Sequence, residues 1–450
     1  MISIKHKIIF TLLLIASVIS FTAPSYAQSI IRDSEIEAIL SEWFTPIFKA
    51  NNMNPDQVKI ILVNSNEINA FVAGGANIFF YTGLIQKTEN PSELIGVMAH
   101  ELGHISGGHL VRSREALEQA SYESILGTLI GIGAAIATGD SGAAAAGSMG
   151  GSSMAQRRFL SKSRTFESSA DQAGIKSMEK AEMNPTGLLT FLEKLSGEEL
   201  IPASQQSEYV RTHPLTRNRI NTMENAVDKS QYKTAPTPSH WQDQHARIKA
   251  KLLGFINPEQ VAWTYDERDT SLPARYARTV ADYRENRIEQ ALSGIDTLIK
   301  NEPKNPYFYE LKGQMLVDFG RVKEALPVYK KAIALSPTDG LIRTAFAHAL
   351  IETAGNNTAQ LTKATEQLQT ALVHEPRSTQ IHRLLATAFG RMEQDARARL
   401  HLAEEALLQH KYPYAKQQVN IALKGLKENT APWYRAKDIL SVLENVKKKN

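Results

Sequence analysis

Apolar and polar positions along the chain change period several times, and each change predicts a different kind of element. Over residues 30–51, Ile36, Ile39, Leu40, Trp43 and Phe44 recur at three- and four-residue spacing, which predicts an amphipathic helix. Short β-branched and aromatic runs at 58–63, 70–75 and 77–82 predict a small β-sheet. Helical spacing returns at Leu94, Val97 and Met98 behind a Pro91-Ser92-Glu93 first turn, so a helix buried on one side follows the sheet. Residues 228–272 are polar, contain Pro236, Pro238 and Pro258, and read as an interdomain linker with a helix near 246–253. Beyond it the pattern repeats. Pro303, Pro337 and Pro376 each close a helix-turn-helix block, the first two 34 residues apart and the next two 39 apart. A longer loop at 355–358 is expected to hold the five extra residues. About four such units, with small residues such as Ala291, Gly313 and Ala332 where helices meet, fill 274–447. Stacked units of this kind leave a concave face for a protein partner.

Two segments stand apart. Residues 1–27 open with Lys5 and Lys7, continue through an apolar run at 8–21 and end on Ser25-Tyr26-Ala27, the pattern of a signal peptide cleaved before Gln28. Residues 125–151 are apolar at first and then almost entirely Gly, Ala and Ser. Their strongly apolar part is about 13 residues, short of the roughly 20 that cross a bilayer, so a lid or membrane-surface element is expected there. The chain has no cysteine, which excludes disulfides, thiol catalysis and a lipid-modified N-terminal Cys. Its formal charge is +4, or +2 without Lys5 and Lys7, too near balance for electrostatically driven nucleic-acid binding.

The chemistry is concentrated in His100-Glu101-Leu102-Gly103-His104. On a helix, residues four apart differ by about 40° in direction, so His100 and His104 can both reach one zinc ion. Glu101, about 100° round from His100, stands beside the ion, where it can take a proton from the attacking water. Zinc needs a third protein ligand. The candidate is Glu167, in Glu167-Ser168-Ser169-Ala170-Asp171, with Asp171 one turn on and able to accept the outer N–H of a ligand histidine. The histidines at 348, 374, 382, 401 and 410 lack metal-ligand spacing and read as surface or groove residues. A sheet lying just before the zinc helix can also offer an edge to an extended substrate backbone.

These motifs, followed by His213-Pro214-Leu215-Thr216-Arg217-Asn218-Arg219-Ile220, resemble the M48 family of zinc metallopeptidases, in particular its periplasmic members with helical repeats. The repeats resemble the tetratricopeptide family. The resemblance implies a mainly α architecture: a zincin-like metallopeptidase domain (28–227) of helices plus a small β-sheet, then an α-solenoid of tetratricopeptide repeats (273–450). It implies one zinc per chain on His100, His104 and Glu167, a general base at Glu101, and a regulatory or oxyanion-side role for His213. It further implies a periplasmic endopeptidase, with peripheral contact to the outer membrane, that degrades misassembled outer-membrane proteins and assists others. Its partners would be those proteins and, through the repeats, the machinery that assembles β-barrels. A repeat-based chaperone or adaptor with minor proteolysis is the alternative, and an intact Glu101 argues against a purely adaptor role.

Overall fold

Asp33 sets where the first helix begins. Its carboxylate accepts a hydrogen bond from the Ile36 amide at 2.9 Å, so Ser34–Ala50 is helical while Ile30–Ile31 form a strand, β1. The computed structural model describes residues 30–74, 76–109, 111–112, 163–202 and 204–449. The predicted signal peptide and the small-residue segment 125–151 lie outside the described residues.

The expected sheet forms from β1, β2 (Lys59–Val63), β3 (Ala70–Ala73) and β4 (Asn77–Tyr81), in the order β1-β2-β4-β3. β2 and β4 pair in parallel, and β3 returns antiparallel to β4, leaving β3 at an edge. Ile36, Leu40, Trp43, Phe44 and Ile47 share one helical face and are fully or almost fully buried, joining Leu62 and Phe80 from the sheet and Leu94, Val97 and Met98 from the next long helix. That helix is Pro91–Ser106, started by an Asn90 cap on the Glu93 amide and carrying the His-Glu-x-x-His motif.

Helix 163–180, which carries Glu167 and Asp171, crosses it closely. A Cβ at Gly103 would lie 2.6 Å from the Ala170 carbonyl oxygen, and one at Gly174 would lie 3.1 Å from the His100 amide nitrogen. Two glycines therefore bring the backbones together where the polar side chains converge. Thr186–Leu195 packs on the first half of the motif helix, where Gly96 meets Leu188 and Gly187 meets Ser92, and Glu208–Thr212 and Arg217–Lys229 complete this part of the chain.

The helix expected near 246–253 is an 18-residue helix, Ser239–Ile256. It serves two cores, since Trp241, Ile248 and Leu252 join the peptidase-side cluster while Ala250 and Leu253 pack with Val261, Ala277 and Ala281. Ten helices follow, from Leu272–Arg284 to Ala431–Lys449, as five antiparallel pairs and not about four. The last pair escapes the proline rhythm because its boundary is made by His410, which takes a left-handed φ of 58° instead. The five extra residues between Pro337 and Pro376 are distributed. The first helix has 14 residues against 13 in the preceding unit and the second has 17 against 14, so only one residue is left for the loop.

One repeat histidine is not at the surface. His382 is buried with its Nδ1 3.1 Å from His401 Nδ1, and His401 stacks on Phe389. No helix among the described residues is long and apolar enough to cross a membrane.

The close crossing makes Gly103 a sensitive position. Gly103→Ala must part the two helices or shift the 163–180 backbone, and is expected to cost about 1–3 kcal/mol of stability in urea unfolding, with lower metal content in the purified protein. Unchanged values for both would show that the crossing tolerates a side chain.

Candidate metal centre

Three elements bring four donor side chains together. His100 and His104 come from the motif helix, Glu167 from helix 163–180, and His213 from the residue that caps Glu208–Thr212; their donor atoms all lie within 4.8 Å of one another. His100 Nε2 and His104 Nε2 are 3.1 Å apart. Glu167 Oε2 lies 3.3 Å from His100 Nε2, and Oε1 lies 3.4 Å from His104 Nε2. Tetrahedral zinc, with bonds of roughly 2.0–2.1 Å, sets neighbouring donors about 3.3 Å apart, so these separations suit such an ion. Glu167 Oε2 accepts no well-formed hydrogen bond although His100 and Arg219 nitrogens stand near it, as expected of an oxygen facing a cation.

The outer nitrogens fix the tautomers. His100 Nδ1 is 2.9 Å from Asp171 Oδ1, at an angle short of a well-formed hydrogen bond, and the carboxylate's charge favours the proton on that nitrogen, which leaves Nε2 to face the centre. At His213, Nδ1 lies 2.9 Å from Thr212 Oγ1, whose own hydrogen is donated to the Glu208 carbonyl at 2.9 Å. The hydroxyl must then accept from Nδ1–H, which leaves His213 Nε2 free to bind as well. The His213 ring does not hang free: it stacks on Tyr209 at 4.6 Å and is buried.

Glu101 is buried and separate from the donor set, with its Oε1 lacking a hydrogen-bond partner and 3.5 Å from His213 Nε2. Burial pushes its carboxyl up to about 7, with His100 opposing. Burial also lowers His104 to about 2 and His213 to about 4, so both are neutral, the form that binds metals. His100 goes the other way. Burial works against its charge, but the Asp171 and Glu167 carboxylates beside it raise it to about 10, so in the metal-free protein a proton on His100 balances part of the carboxylate charge. Metal binding must displace that proton.

Arg219 ties these parts together. Its Nε and Nη2 donate to Asp171 at 2.7 and 2.8 Å, and Nη1 donates to the Pro214 carbonyl at 2.7 Å and lies 3.3 Å from Glu167. The motif resemblance assigns Arg219 no role, although the sequence carries a signal for one. Arg219, Met223 and Val227 are the buried positions of their helix at i, i+4 and i+8, and an arginine on an apolar face needs a buried partner. Tyr209 and His109 also contact the site and were not singled out either.

The description Peptidase family M48 matches residues 31–227, and Tetratricopeptide repeat matches 273–417. Residues 31–227 are an M48 peptidase domain. The chain is 26% identical over 349 residues to the beta-barrel assembly-enhancing protease of Yersinia pestis, covering 75% of this chain and 69% of that protein. It is 27% identical over 300 residues to the protein of the same name from Escherichia coli strain K12, covering 65% and 60%. The metalloprotease LoiP of the same strain is 28% identical over 173 residues, covering 38% of this chain and 62% of that one. The chain thus joins an M48 metallopeptidase domain to tetratricopeptide repeats, an architecture suited to protein binding.

Asp171 and Arg219 form a buried pair, and losing one partner strands the other's charge. Burial raises the Asp171 carboxyl, but the bonds from Arg219 and His100 outweigh it and hold it below the ordinary carboxylate range. The pair's contribution is therefore present at neutral pH and is lost as pH falls through that lowered value. Arg219→Met is expected to cost about 3–5 kcal/mol at neutral pH by urea unfolding. A loss under 1 kcal/mol would mean that Asp171 is solvated in the variant.

Proposed function

We propose that this M48 metallopeptidase is an exported, zinc-dependent endopeptidase. His100, His104 and Glu167 would hold the ion, Asp171 would orient His100, and Glu101 would act as general base. The observation that carries this reading is the convergence of two histidine Nε2 atoms and one carboxylate at about 3.1–3.4 Å from one another, with a second buried carboxylate beside them. When bound, zinc supplies Lewis acidity toward water and the scissile carbonyl. Glu101 takes the proton of the attacking water and returns it to the leaving amine. Burial raises its basicity for the first step, and a nearby dication keeps it ionised near neutrality. The β3 edge can pair with an extended substrate backbone, which suits cleavage that depends little on side-chain sequence.

The repeats would select protein substrates. Its substrates would be misassembled outer-membrane proteins, with others assisted in assembly and the β-barrel assembly machinery as a partner; the names of the two beta-barrel assembly-enhancing proteases support β-barrel assembly as the process served. A periplasmic location, peripheral at the outer membrane, agrees with these names and with the pattern of residues 1–27. His213 would fill the fourth zinc position in a resting state. The lone pair at its Nε2 supports that role, and Glu101 beside it would be released as it leaves.

Glu101→Gln should retain about one zinc per chain and lose casein cleavage by roughly two to four orders of magnitude. Loss of the metal in that variant would reassign Glu101 as a ligand.

His213→Ala separates two roles. It is expected to keep zinc, change the absorption of the cobalt-substituted protein, and raise basal cleavage. Lower cleavage of every substrate with an unchanged cobalt spectrum would instead make His213 a transition-state donor.

A further inference from the structure

Two of the three histidines at the centre have an identified partner for the outer ring nitrogen, Asp171 for His100 and Thr212 for His213. The third, His104, also has one. After Ser106 the chain turns through Gly107 and Gly108, the latter at a left-handed φ of 60°, and comes back so that His109 Nδ1 lies 3.1 Å from His104 Nδ1. The turn leaves no room for a larger residue, because a Cβ at Gly107 would lie 2.3 Å from His109 Nε2. His109 is buried and its ring lies flat on Phe166, with centroids 4.6 Å apart and 16° between planes. Phe166 precedes Glu167, so helix 163–180 supplies both a centre carboxylate and the face that holds His109.

We propose that His109 is a positioning residue for the metal centre: its Nδ1 accepts the Nδ1–H of His104, fixing the tautomer and ring plane that aim His104 Nε2 at the ion. The proposal rests on His104 being a ligand. If Nε2 binds metal, the single proton of neutral His104 must sit on Nδ1, and the nitrogen that faces it must be an acceptor. His109 meets that demand only with its own proton on Nε2. A ring nitrogen is a weaker acceptor than the carboxylate serving His100, so the two ligands are supported unequally. Turning the His109 ring out of its plane would break both the contact with His104 and the stack on Phe166. The arrangement therefore also couples the ligand on one helix to the start of the Glu167 turn on the other.

The test compares His109→Phe, which keeps a flat ring and removes the acceptor, with His109→Asn and His109→Asp, which place an oxygen acceptor near the position of Nδ1. Zinc dissociation constants are measured on the full chain by competition with a chromogenic chelator, alongside the visible spectrum of the cobalt-substituted protein. His109→Phe should bind zinc about 10–100-fold more weakly and shift the cobalt bands. His109→Asn should recover most of the affinity, and His109→Asp should bind more tightly than His109→Asn. Wild-type affinity in His109→Phe would overturn the proposal, as would equal weakening in all three variants, which would indicate a packing role alone. Where His109→Phe does not fold, the order of Asp over Asn decides, because the two differ little in size and mainly in acceptor strength; equal affinities there would also overturn it. His104→Ala distinguishes the underlying assumption: full zinc affinity in that variant would refute His104 as a ligand, whatever happens at His109.

Discussion

The close crossing of Pro91–Ser106 and helix 163–180 is the constraint on which the site depends. A carboxylate side chain is short, so Glu167 reaches both histidines only because the helix backbones approach at Gly103, Ala170 and Gly174. Glycine in a helix interior weakens the helix by roughly 0.5–1 kcal/mol relative to alanine. Here that loss is offset by surrounding burial: Val97, Met98, Ala99 and Leu102 on the motif helix and Ile175 and Met178 on its partner all enter one core. Local helix propensity has yielded to tertiary geometry, as expected where a functional site sets the terms.

That crossing would bury Glu101, Glu167 and Asp171 within a small volume, an arrangement that repels itself unless positive charge is supplied. Arg219 supplies one permanent charge and, in the metal-free protein, a proton on His100 supplies another. Glu167 is kept well below the carboxylate range by its histidine neighbours although burial opposes this. Asp171, with one oxygen near His100 and both on Arg219, links the metal-facing residues to the chain around His213. Arg219 bonds the Pro214 carbonyl as well, so the orientation of His100 and the position of the His213 segment share one guanidinium.

The parts of this structure that sequence made legible are those whose geometry is local. Within one helix, three- and four-residue spacing is enough to place His100 beside His104, and alternating or periodic apolar positions are enough to find the sheet and the first helix. Glu167 and His213 are nonlocal. Their approach depends on a chain path through residues far apart in sequence: Glu167 is reached from the Glu-x-x-x-Asp spacing downstream of the motif, and His213 from the motif resemblance alone. His109 was missed because its backbone leaves the helix at Gly107 and returns, so its distance from His104 does not follow from helical periodicity. The repeat count fell short for a related reason: proline was used as the boundary marker, while the boundary at His410 uses a left-handed backbone in its place. His382 and His401 read as surface or groove residues for want of metal-ligand spacing; that their rings meet across two helices does not follow from spacing within either one.

The two parts of the chain meet through charges as well as apolar contacts. Lys251, on the helix shared by both cores, is buried with its Nζ 2.6 Å from Asp33 and 3.2 Å from Glu35, and Glu35 accepts a 2.7 Å hydrogen bond from Tyr276. Arg247 holds Glu302 through two 2.8 Å bonds, Ser34 donates to Asp339 at 3.0 Å, and Arg32 reaches Glu375 at 2.8 Å. Apolar residues of the same volume would hold the seam at least as strongly, since desolvation consumes much of what a buried ion pair gains. What paired charges add is direction. Sliding the repeats along the Ser34–Ala50 helix would separate several pairs at once, and a single buried pair broken on one side already costs about 3–5 kcal/mol. The repeats are therefore registered against the start of the first peptidase helix. The same helix packs, through Phe44 and Ile47, into the core that carries the motif helix, so the path from repeat array to metal centre runs through closely packed elements throughout.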